Sequence, residues 1–126
     1  MSEKSPTTCT VLHLRFKLRV LPRLLLAHSR EVATTIASVE GLIWKIWLLQ
    51  QQKSELGGMY LFADRQTAEA YLTHPVIQAM CSNPAVVSTQ SELWEIESSL
   101  SALTRAPLWD FRVQHSEANA LVAGGQ

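Results

Sequence analysis

The segment GLIWKIWLLQQQKSELGGMYLFADRQTAEAYL, residues 41–72, confines this chain to a narrow set of folds. It reads as strand, turn, strand, helix. The first strand, 42–51, is apolar on both faces up to Leu49, so both of its faces are covered. The polar run Lys53-Ser54-Glu55-Leu56 and the pair Gly57-Gly58 predict a hairpin, with a bulge at either glycine. The second strand runs from Met59 to Ala63, and Asp64 has the side chain of a helix N-cap. Trp44 and Trp47 flank Lys45, and Tyr60 and Phe62 follow across the hairpin. Aromatic groups and a cation on a sheet point to a lined cavity rather than a plain core.

The flanking sequence completes the unit. From Cys9 to Leu18 the pattern alternates strictly. Leu12, Leu14, Phe16 and Leu18 face one way, and Val11, His13, Arg15 and Lys17 the other, which is a strand with one apolar face. Pro22 suits a first helical turn. Leu21, Leu25, His28, Val32, Ile36 and Val39 recur at helical spacing and predict one amphipathic helix over 22–39, with Gly41 at its C-terminal side. After Asp64, Ala68, Tyr71 and Leu72 mark a helix that Pro75 ends or kinks, and 76–81 continues as a short one. Asn83-Pro84 closes that segment. A fourth strand spans 86–96, and 99–103 adds a short helix. The order β-α-β-β-α-β is the ferredoxin-like arrangement, an α+β fold with a four-stranded antiparallel sheet. Helices cover one sheet face only, and the large apolar groups on the other predict a homodimer with sheets packed face to face. Residues 1–106 form the expected domain, after a frayed lead-in over 1–8. Residues 107–126, which include Trp109 and Phe111, read as a partly disordered extension.

Composition excludes several classes. The 126 residues carry eleven acidic and eleven basic side chains, so no charge footprint for nucleic acid or an anionic membrane exists. Arg15, Lys17, Arg19 and Arg23 cluster as a solvated or cavity-facing stripe. Cys9 and Cys81 have no metal spacing and make no disulfide framework. No apolar run reaches membrane-spanning length, and the N-terminus lacks a secretory signal, so a cytoplasmic protein is expected. A phosphate loop, HExxH, CxxC, GxSxG and a nicotinamide or flavin fingerprint are all missing from the sequence. No metal and no cofactor is therefore expected.

Strand phasing selects candidate site residues. His13 and Arg15 share the face away from the leucines, toward the expected dimer cavity. Charge favours Lys45 on that same side, with Trp47 beside it. Strand three cannot be phased, since a bulge at the glycines would invert it. The plain readings are a hydrogen-bonded His13, tryptophans in core or interface, a Lys45 that snorkels or sits over an indole, a capping His74 and a core His28.

The residues Gly41, Trp44, Lys45, Trp47, Gly57, Gly58, Tyr60, Leu61, Phe62, Ala70, Tyr71 and Leu72 resemble the YdhR-like monooxygenases of the dimeric α/β-barrel superfamily. The likeness runs in element order over residues 10–103. It implies two ferredoxin-like subunits joined as a barrel, with a ligand pocket between helices and sheet or toward the barrel interior. It also implies oxygen chemistry on an aromatic or polyphenolic molecule without flavin, haem or metal, the ionised substrate itself giving an electron to oxygen. On that reading His13 is the base, Arg15 and Lys45 hold the anion, and Trp44, Trp47, Tyr60 and Trp94 contact the substrate. A ligand-binding or sensing dimer without turnover is the alternative. A haem-handling relative would need His13 or His74 as an axial ligand.

Overall fold

The computed structural model describes residues 9–108. The expected lead-in over 1–8, and Trp109, Phe111 and the rest of the tail, lie outside them. Four antiparallel strands, β1 (Thr10–Leu18), β2 (Leu42–Gln50), β3 (Glu55–Phe62) and β4 (Val86–Glu95), form one sheet in the order β2-β3-β1-β4. The helices α1 (Pro22–Leu26), α2 (Arg30–Ala37), α3 (Arg65–Tyr71), α4 (Pro75–Cys81) and α5 (Ser98–Leu103) complete the ferredoxin-like pattern. The leucine face of β1 meets the helices as expected. Leu12, Leu14, Phe16, Tyr60 and Phe62 from the sheet pack with Ile36, Ala68, Tyr71 and Ile77 from α2, α3 and α4.

Local chemistry explains the boundaries. Asp64 caps α3, its carboxylate accepting from Thr67 N–H at 2.8 Å. His74 caps α4, its Nδ1 accepting from Val76 N–H at 3.0 Å, while Pro75 opens that helix. The single helix expected over 22–39 is two. After Leu26 the backbone tightens to three-residue hydrogen bonds, His28 N–H to Leu25 O and Ser29 N–H to Leu26 O. The Ser29 hydroxyl donates to Leu25 O at 3.0 Å and closes the turn. Hydrophobic spacing runs unbroken through the interruption, so periodicity alone does not reveal it. His28, expected in the core, is exposed at this break.

The hairpin also differs from expectation. Gln51–Lys53 form a single 3-10 turn, and Ser54 takes the left-handed conformation at φ 52°. The pair Gly57-Gly58 therefore lies inside β3, opposite Leu48 and Trp47, and the ladder there is regular. The irregularity falls instead between Leu42 and Trp44. One extra residue on β2 inverts everything after it. Leu42 faces the helices, but so do Lys45 and Trp47, which pair with Tyr60 and Gly58. Trp44, Ile46 and Leu48 turn to the outer face.

Candidate functional site

The inversion of β2 gathers a site on the helix side of the sheet. A cavity of about 260 Å³ lies between sheet and helices. Its floor is Phe16, Lys45, Trp47, Leu56 and Tyr60, and its roof comes from α1, α2 and α4 through Leu24, Val32, Ile36, Ile77 and Met80. His28, Ser29 and Asn83 add polar groups. Lys45 Nζ sits 3.4 Å from the Trp47 ring centroid and 4.7 Å from that of Tyr60. Burial lowers the Lys45 ammonium from its ordinary value of 10.5 to about 7. The indole face works the other way and favours the cation, by about 0.5–2 kcal/mol. Lys45 thus has both protonation states within reach near neutral pH.

Two phenols complete the wall. The Tyr71 hydroxyl meets that of Tyr60 at 3.3 Å, and the Tyr60, Phe62 and Tyr71 rings form one cluster with centroids 5.1–6.1 Å apart. Burial raises both phenols, so they stay neutral hydrogen-bonding groups. Gly58 makes room for the lysine: a Cβ there would lie 2.7 Å from Lys45 Cε and 3.0 Å from the Tyr60 ring.

The structure divides the residues that sequence had placed together. Lys45, Trp47 and Tyr60 share the cavity. His13 and Arg15 do not; they lie on the outer sheet face, where His13 Nδ1 is 3.8 Å from Glu92 and Arg15 is 3.3 Å from Glu55. The expectation that Lys45 and Trp47 share with His13 and Arg15 the sheet face toward a dimer cavity fails because the β2 bulge sends Lys45 the other way. Trp44 also turns outward, and its Nε1–H donates to Pro107 O at 2.8 Å, which ties down the chain beyond α5. Trp94 lies beside Val11 on the outer face, 56% exposed. Sequence reasoning missed the Tyr71 hydroxyl, read only as a core position, and Gly58, read only as a turn. The signal for Gly58 was a glycine between strand residues, which marks close approach. Neither His74 nor His13 lines the cavity, as a haem ligand would. Among the described residues no cluster of three or more metal-ligating side chains exists, and no helix is long and apolar enough to cross a membrane.

Residues 11–107 match the family model described as "Putative mono-oxygenase ydhR". The chain belongs to this family. Solved structures similar to this YdhR-family chain have the same fold. One is SnoaB, a cofactor-independent oxygenase from Streptomyces nogalater, at 14% identity and TM-score 0.59, covering 74% of this chain and 97% of that one. Another is a protein of unknown function from Nitrosomonas europaea, at 20% identity and TM-score 0.58, covering 75% and 94%. A third is a putative antibiotic biosynthesis monooxygenase from Bacillus cereus, at 11% identity and TM-score 0.52, covering 72% and 95%. Among curated proteins, none matches this YdhR-family chain in sequence.

Proposed function

We propose that this YdhR-family protein is a monooxygenase that oxidises an ionisable aromatic molecule with dioxygen and needs no bound cofactor. The observation that carries the reading is Lys45, an amine near its neutral form in an aromatic, largely apolar cavity. Neutral Lys45 takes the proton of a phenol, and the resulting ammonium holds the phenolate against the Trp47 face. The anion then gives one electron to dioxygen. The substrate radical and superoxide combine at a ring carbon bearing two hydrogens in the keto form, and the peroxide loses water. The CH₂ group becomes a carbonyl, one oxygen atom enters the product and the other leaves as water; all electrons come from the substrate. Lys45 thereby takes the role expected of His13.

His13 and Arg15 belong, on this reading, to a homodimer interface. The outer sheet face leaves Ile46 52% and Trp94 56% exposed, and a second copy would cover them. The test of the activity is oxygen uptake with a panel of hydroxylated polycyclic aromatics. Saturable uptake well above spontaneous oxidation is expected, with a fall of about 10²-fold in Lys45→Met. Tight binding without oxygen uptake would replace this reading with that of a ligand-binding dimer.

A further inference from the structure

Lys45 differs from Lys17 and Lys53, both of which are exposed. It lines a cavity, with its Nζ over the Trp47 and Tyr60 rings, whose other titratable groups are His28 from the α1–α2 connection, Tyr60 from β3 and Tyr71 from α3. The lining residues that α1, α2 and α4 contribute carry no ionisable side chain, and no carboxylate lines the cavity among the described residues. An amine so placed loses value as a fixed charge and gains it as a nucleophile.

We propose that Lys45 is a nucleophilic amine that captures an apolar aldehyde or ketone in the helix–sheet cavity as a Schiff base. The Nζ lone pair forms a bond to the carbonyl carbon as the C=O π bond breaks, and the oxygen takes up a proton. Nitrogen releases a proton, the carbinolamine loses its hydroxyl as water, and a C=N bond remains. Amine plus carbonyl gives imine plus water, with nothing oxidised or reduced. Tyr60 and Tyr71 line the same cavity, and their hydroxyl pair holds one proton more than the bond between them uses. Staying on its phenol, that hydrogen can donate a hydrogen bond to the carbonyl oxygen, while the proton the oxygen takes up is the one the nitrogen releases. The apolar walls select an uncharged, hydrophobic carbonyl compound and favour loss of water.

The lowered ammonium value supports the same conclusion. With a midpoint of about 7, half of Lys45 is neutral at pH 7, against about one in 2,500 for an unperturbed lysine. This activity goes beyond the oxygenase reading, using the same side chain as nucleophile rather than base.

The test is reductive trapping of the full chain with benzaldehyde and cyanoborohydride at pH 7 under nitrogen, with modified peptides mapped by mass spectrometry. Lys45 should be benzylated at least about tenfold faster than Lys17 and Lys53, since so much more of it is neutral. The advantage should vanish in urea, and Lys45→Arg should lose the fast phase alone. Equal labelling of Lys17, Lys45 and Lys53 in the folded protein would overturn the proposal, as would an advantage that persists in urea. Trapping needs no oxygen, so equal labelling beside saturable, Lys45-dependent oxygen uptake would overturn this proposal and leave the oxygenase reading standing.

Discussion

Lys45 lies under two opposing influences, an apolar cavity that disfavours its charge and an indole that favours it. Its folded value lies below its unfolded one. Between about pH 7 and 10.5 the unfolded chain therefore binds the extra proton, and the stability contributed by this residue rises with pH. Below pH 7 the full cost of the buried cation is present. Lys45→Met should accordingly stabilise the fold by about 1 kcal/mol at pH 6.5, and the gain should shrink by pH 9.5. Urea midpoints of the two proteins at those pH values measure it; a gain independent of pH would show that Lys45 is not desolvated. The candidate residues themselves were legible in the sequence: Lys45, Trp47 and Tyr60 stand out by type. Their shared surroundings were not, because a pKa and a ring stacking depend on which face a strand presents.

That face is an element-scale property, and one residue decides it. The extra residue at the start of β2 reverses the direction of Lys45 relative to Leu42, and no composition cue at Ile43 announces it. The strand and helix order was legible because alternation in β1 and the cap at Asp64 are local signals. The break between α1 and α2 was not, because it interrupts hydrogen bonds without interrupting hydrophobic spacing. The two glycines of β3 carry different duties. A Cβ on Gly57 would strike the Leu14 carbonyl of β1, a rigid neighbour. One on Gly58 would meet the flexible Lys45 stem. Gly57→Ala should therefore cost about 2–3 kcal/mol of stability, measured by chemical denaturation. Gly58→Ala should cost less and instead displace Lys45, abolishing its fast aldehyde labelling. Equal stability losses from the two would contradict this division.

For the molecule as a whole, the sheet has one face under helices and one with Ile46, Leu48 and Trp94 exposed. A stable dimer needs about 800 Å² per partner. Light scattering at micromolar concentration should give twice the 14.1 kDa chain mass, and Ile46→Glu should shift it to the monomer while retaining the far-ultraviolet dichroism of the fold. A wild-type monomer would remove the interface role of His13 and Arg15. The cavity lies on the opposite face, so its two halves have separate origins. Its reactive floor is strand-borne, and its roof is helical, from short α1, α2 and α4. Exchanges at Leu24, Val32 or Met80 would resize the chamber without touching the amine beneath it. A lineage built on this plan can therefore trade one guest molecule for another in single mutational steps, keeping its chemistry while its diet changes.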